Sequence, residues 1–197
     1  MLSIGKNLTK GLKNVIVMLV ITCCLLVNVQ AANAYNINRM TEDSKILSAL
    51  RVLNDNNQSA VLTRIDQSKT KIMFYDLTLL SFSYAKHYAV ASVDEYGDKY
   101  ILINSNLRNS PSEALACLIA HESVHQLEHA TFDEEVRATQ TEAKTWMLLK
   151  DRVSAQYSND ALVKRLNKLV SMEENGSNLI AKSISENSFY KEQLSMR

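Results

Sequence analysis

Between residues 41 and 54 the apolar side chains Ile46, Leu47, Leu50 and Leu53 recur three and four apart, which predicts a helix with Thr41 or Ser44 as its cap. The same period returns from Asp160 to Met172, where Leu162, Val163, Leu166, Leu169 and Val170 form one stripe. It returns more thinly from Asn178 to Leu194, with Leu179, Ile180, Ile184 and Phe189. Between these segments the period shortens. His87 to Val93 alternates, Glu95-Tyr96-Gly97-Asp98 carries turn chemistry, and Lys99 to Asn104 contains Tyr-Ile-Leu-Ile, so residues 87–104 predict a hairpin. Lys71 to Leu77 reads as another strand. The pattern as a whole predicts an α+β architecture: a small β-sheet or hairpin packed on a helix, followed by a mainly helical C-terminal half.

The helix against which the hairpin would pack is apolar on every side. Ala114 to Ala120 reads Ala-Leu-Ala-Cys-Leu-Ile-Ala, which predicts burial in the core. Ser110-Pro111-Ser112-Glu113 reads as its start, with Ser110 as N-cap, Pro111 at the first helical position and Glu113 closing a capping box. At the other end stands His121-Glu122-Ser123-Val124-His125. Residues four apart share one helix face, so two imidazoles at this spacing can aim at one metal ion, and Glu122 flanks that ion as a general base for a metal-bound water. Polar groups on a buried helix need partners, and metal coordination is one.

A third ligand is expected from the next helix. Asp133 reads as its N-cap, with the helix running from Glu134 to about Arg152. On it Glu135, Ala138, Glu142, Trp146 and Leu149 share one face, with Val136, Ala143, Met147 and Lys150 as an adjoining stripe. Glu134 is accounted for as a first-turn acid that complements the helix dipole. His129 lies two turns beyond His121, about 12 Å along an unbroken helix, too far to share the metal; no glycine bends the chain before it, so it reads as a surface or helix-end residue.

At His121, Glu122, His125 and the segment Glu134-Glu135-Val136-Arg137-Ala138 the chain resembles the gluzincin group of zinc metallopeptidases. There a glutamate of an E-x-x-A pattern joins the two histidines. The resemblance implies a zincin-like domain in which Zn2+ is held by His121, His125 and Glu135, with Glu142 as the alternative third ligand or as a residue orienting a ligand histidine. It covers about residues 98–150. Thr139 stands where some of these families have an orienting aspartate, and Ser123 where an apolar residue is usual. The resemblance also implies a cleft strand whose free edge pairs with an extended peptide, and a tyrosine or histidine that assists the transition state. His87, Tyr88, Tyr157 and Tyr190 are the candidates for that last role. A His-His-Glu site also accepts cobalt or manganese.

The N-terminus has the pattern of a signal peptide. Lys6, Lys10 and Lys13 precede an apolar region of thirteen residues, Val15 to Val27, and Ala32-Asn33-Ala34 offers a cleavage site, with Ala31 as the alternative. Thirteen residues are short of the roughly twenty that span a bilayer, so export to the periplasm or the medium is expected, with a signal anchor as the alternative. Loss of residues 1–34 would remove three lysines and no acid, leaving 19 basic and 21 acidic side chains on 163 residues that suit a single domain. No basic patch points to nucleic acid, and Cys117 alone of the three cysteines would remain, with no disulfide partner.

Three functions follow. The first is an exported zinc metallopeptidase acting on a peptide or protein. The second is a metal-binding domain without activity, in which metal survives Glu122→Gln and there is no activity to lose. The third is a helical binding module with an accidental signature, which holds no stoichiometric metal.

Overall fold

In a computed structural model of the chain, residues 35–125, 131–176, 178–187 and 190 are described. The signal-peptide pattern and His129 lie outside them. Asp43, rather than Thr41 or Ser44, caps the first helix, α1 (Ser44–Asp55), by accepting from the Lys45 and Ile46 N–H groups at 2.9 and 3.3 Å. Thr41 instead accepts from the Asp43 N–H. Ile46, Ala49, Leu50 and Leu53 form its buried face.

A second helix, α2 (Ser59–Gln67), has no counterpart in the sequence reading. It is short, lacks a side-chain cap, and ends without glycine or proline on Lys69 at φ 54°, with Thr70 N–H returning to Ile65 O at 3.0 Å. Three residues, Val61, Leu62 and Ile65, bury it, too few to carry a periodic signal.

The expected strands form β1 (Lys71–Tyr75), β2 (Ala89–Val93) and β3 (Lys99–Asn104), in the order β1-β3-β2. β3 pairs parallel with β1 and antiparallel with β2. As the central strand it buries Ile101 to Asn104 in succession, on both faces. The hairpin turns on Gly97, whose φ of 86° suits a residue without Cβ, while Asp94 Oδ1 accepts from Tyr96 N–H and Asp98 N–H. The outer edge of β1 receives Met40 O through the Ile72 N–H at 2.8 Å. No strand pairs with the outer edge of β2 among the described residues.

The apolar helix is α3 (Ser112–Glu122), and every residue from Ala114 to Glu122 is buried. Its expected capping box does not form. The helix begins one residue later, with Pro111 in the cap position and no side-chain cap, because Ser110 Oγ donates to Asp160 Oδ2 at 2.9 Å, fifty residues away. The next helix, α4, spans Phe132–Leu149 and is capped by Thr131, whose hydroxyl accepts from Glu134 N–H, rather than by Asp133. Lys150–Arg152 continues it only as a 3-10 turn. α5 (Ala161–Glu174) and α6 (Asn178–Glu186) complete the helical C-terminal half.

α3 lies between α1 and α4, α4 also packs on α5 and α6, and β2 touches α3. Ile46, Leu50, Leu53, Leu62, Ile65, Ile72, Ile101, Ile103, Leu115 and Leu118 fill the main core. A smaller cluster of Ala143, Ile180 and Ile184 holds α6 on α4. Cys117 is fully buried, and burial pushes its thiol pKa well up, so it serves as packing. Among the described residues no helix is long and apolar enough to cross a membrane.

Candidate metal centre

The buried run of α3 delivers His121 and Glu122 in its last turn. The helix stops there, and His125 stands just beyond it, so the two histidines do not share one unbroken helix as the spacing predicts. A tightened turn preserves their relation: Val124 N–H bonds His121 O at 3.0 Å and His125 N–H bonds Glu122 O at 3.2 Å. Ser123 secures this turn. Its hydroxyl donates to Ala120 O at 2.8 Å and accepts from Arg64 of α2 at 3.0 and 3.3 Å, which explains a polar residue at this position.

The two Nε2 atoms face each other at 3.3 Å. Glu135 lies across from them, Oε1 at 3.7 Å from His121 Nε2 and Oε2 at 3.5 Å from His125 Nε2. One ligand atom from each of His121, His125 and Glu135 lies within 4.8 Å of the others. Tetrahedral ligands at 2.0–2.1 Å from a zinc ion stand about 3.3 Å apart, so this spacing fits the ion.

Each outer nitrogen has a carboxylate close to it. His121 Nδ1 lies 3.1 Å from Glu142 Oε2, and His125 Nδ1 lies 3.4 Å from Glu134 Oε1. A carboxylate at Nδ1 favours the proton on that nitrogen and leaves the Nε2 lone pair free. With Nδ1 carrying the proton, two Nε2 lone pairs and the Glu135 carboxylate converge on one point, where a metal cation can take the place of any proton held between them. The donor set of two imidazoles and one carboxylate therefore fits a divalent metal in chemistry as well as spacing, and the site is gluzincin-like.

One helix supplies all three of these carboxylates. Glu134, Glu135 and Glu142 of α4 are each at most 4% exposed, and Ala138 between them is fully buried. Glu134, which the sequence assigns only to the helix dipole, is thus a buried contact of His125. Glu142 is directed at the outer nitrogen of His121 and Glu135 at the inner pair. Thr139, the departure from the family pattern, donates its hydroxyl to Glu135 Oε1 at 3.4 Å. Val136 and Ala143 of the adjoining stripe lie against the α6 cluster, while Met147 is 39% exposed.

Charge shapes the site strongly. Burial alone would lower the His121 pKa, but contact with Glu142 and the charges of Glu142, Glu122 and Glu135 raise it to about 9. Burial pushes the Glu142 carboxyl up, and the Arg165 charge together with His121 pulls it down to about 2. Glu122 ends above the usual carboxylate range because burial outweighs the pull of His121 and His125. A carboxyl so placed is a better proton acceptor than an exposed one.

Two cavities meet at Glu122. One, of about 320 Å3, runs along Val90–Val93 past His125 and is bounded by Leu80 and Tyr84. The other, of about 350 Å3, runs past His121 and is lined by His87, Tyr88, Arg165 and Tyr190. Three of the four candidate transition-state residues are therefore brought to the site, while Tyr157 lies in the 3-10 turn Ala155–Tyr157 and lines neither cavity. Burial and then the Glu135 charge and hydrogen bond raise the Tyr190 hydroxyl pKa above its ordinary value.

Arg64 and Arg165 escaped the sequence reading. Arg165 had a signal: it falls between Leu162 and Leu169 on an otherwise apolar stripe. Arg64 had none, since its partner is 59 residues away. No family model matches the chain, and neither the curated proteins nor the solved structures give a match.

Proposed function

We propose that the protein is an exported zinc-dependent metallopeptidase. The observation that carries this reading is the convergence of His121, His125 and Glu135 with Glu122 beside them and a further carboxylate at each outer imidazole nitrogen. His121, His125 and Glu135 hold the ion. A bound zinc supplies Lewis acidity toward a water molecule and the scissile carbonyl. Glu122 takes the proton of the attacking water and passes it to the leaving nitrogen, a role that suits its buried, raised carboxyl. Glu142 and Glu134 hold the imidazoles in register.

An extended peptide lies along β2. Asn104 N–H bonds Tyr88 O at 2.9 Å, so by antiparallel alternation Val90 and Ser92 also bond toward β3, and the backbone groups of Ala89, Ala91 and Val93 face outward. Strand addition at this edge places a peptide across Glu122, with cavity space on both sides. Export rests on the pattern of residues 1–34.

The test is zinc content of the purified protein by elemental analysis, followed by hydrolysis of a peptide library. About one zinc per chain is expected, and Glu122→Gln should retain it while losing roughly 100- to 10,000-fold in activity. Zinc without activity in the unmodified protein would support the silent metal-binding domain, and no zinc would make the signature accidental.

A further inference from the structure

Arg165 lies on α5, an element that supplies none of the residues proposed to hold the ion, yet it is tied to the centre through one carboxylate. Its Nη2 donates to Glu142 Oε2 at 2.9 Å and its Nη1 to Oε1, a two-pronged grip on a side chain with no solvent exposure. Oε2 of that same carboxylate lies 3.1 Å from His121 Nδ1. The guanidinium also stands over the Tyr88 ring, 5.0 Å from its centroid, just before β2 begins. Arg165 therefore links α5, the carboxylate of α4, the histidine of α3 and the residue preceding the proposed substrate strand.

A planar guanidinium that bonds both oxygens fixes the plane of a carboxylate as well as its position. With that plane fixed, Oε2 stays at Nδ1 and the imidazole presents Nε2 inward. Without it the Glu142 side chain is free to turn toward the inner nitrogens, from a position seven residues, about two turns, beyond Glu135 on the same helical face. The grip also supplies a cation among the four buried carboxylates Glu122, Glu134, Glu135 and Glu142.

We propose that Arg165 is a positioning residue of the metal centre, acting through Glu142 to hold His121 in the orientation that binds the ion. The inference rests on the metal reading above. The experiment titrates the protein with zinc against a chromophoric chelator at pH 7, for the unmodified chain, Arg165→Met, Glu142→Gln and the double variant. Arg165→Met should weaken zinc binding about 10- to 100-fold. In the Glu142→Gln background the same substitution should change it less than about twofold, because its route to the ion is already cut. Arg165→Lys keeps the charge without the two-pronged geometry and should show a smaller loss, which also reads the effect if Arg165→Met does not fold.

Equal weakening in both backgrounds would overturn the proposal in favour of packing alone, as would Arg165 variants that bind zinc like the unmodified chain. If the unmodified chain itself takes up no zinc, the metal reading fails and this inference falls with it. These outcomes are distinct because the first two occur in a protein that demonstrably binds the ion.

Discussion

α1 and α4 flank the same helix and present faces of the same spacing to it, yet they bury opposite chemistry. On α1 the face is Ile46, Ala49, Leu50 and Leu53. On α4 it is Glu135, Ala138, Glu142, Trp146 and Leu149, so carboxylates occupy the two positions nearest its N-terminus. Apolar burial on α1 is its own reward, because removing those side chains from water stabilises the fold directly. Burying Glu134, Glu135 and Glu142 is unfavourable unless cations meet them. The difference separates the parts of α3's surroundings that hold the fold from the part that gathers the candidate metal ligands.

The largest expected effects break the comparison in two directions. Leu50→Ala on α1 should destabilise the protein by roughly 2–5 kcal/mol through lost burial and the cavity left behind, while zinc affinity of the folded fraction stays unchanged. Glu135→Ala on α4 should do the reverse: zinc binding weakens more than about 100-fold, while the metal-free protein loses less stability than Leu50→Ala, because relief of a buried charge offsets the lost contacts with His121, His125, Thr139 and Tyr190. Thermal melts with and without chelator, beside zinc titrations, check both. A Glu135→Ala variant whose metal-free form is as damaged as Leu50→Ala would make α4 an ordinary packing helix.

The same comparison shows what the sequence could disclose. Periodicity reveals burial, and it found α1, α3, α4, α5, the start of α6 and the three strands, because each carries its own apolar pattern. Chemistry was legible where a buried position held an acid at core spacing, as with Glu135 and Glu142. Illegible were the partners supplied from far along the chain. Ser110 looked like a cap until Asp160 claimed its hydroxyl, Ser123 looked out of place without Arg64, and Glu142 had no visible cation until α5 brought Arg165 to it. Glu134 was misread because a first-turn acid has a sufficient local explanation, and only tertiary packing shows it facing His125.

Acid and base should act most strongly on α4's side of the molecule; on α1's side the titrating group is the Asp43 cap, which burial raises but Arg108 and the Ile46 and Lys45 N–H groups bring below its ordinary value. In the metal-free protein the Glu142 carboxyl falls from about 4.5 to about 2, so its stabilisation is complete above pH 4.5 and is lost as pH falls through 2. His121 rises from 6.5 to about 9, so its contribution is complete below pH 6.5 and is lost as pH climbs through 9. The groups facing this pair are Glu122, Glu135, His125 and Arg165. Metal-free stability should therefore be greatest between pH 4.5 and 6.5. The His121–Glu142 contact enters both flanks, and each flank is worth roughly 3 kcal/mol at most. Zinc displaces the His121 proton, so zinc affinity should rise with pH up to about 9, opposite in sign to metal-free stability over that range. Denaturant melts from pH 3 to 10 check the profile, and one that Glu142→Gln leaves unchanged would remove this pair as its source.

The smallest effect sharpens the contrast at the two caps. Asp43 caps α1 through the N–H groups of Lys45 and Ile46 and also pairs with Arg108, and Thr131 caps α4 through the N–H of Glu134. Replacing either by alanine should cost about 1 kcal/mol of stability, the usual worth of an N-cap. The consequences then part. Among the described residues the side-chain contacts of α1's cap are to Lys45, Ile46 and Arg108 and none is to His121, His125 or Glu135, so Asp43→Ala should leave zinc affinity where it was. The first turn of α4 holds Glu134 against His125 and Glu135 between both imidazoles, so loosening it moves groups whose spacing the ion needs within a few tenths of an ångström. Thr131→Ala should therefore weaken zinc binding several-fold for the same loss of stability, measured by chelator competition beside a denaturant melt. Equal zinc affinities in the two variants would mean that α4's first turn is held by its packing on α3 rather than by its cap.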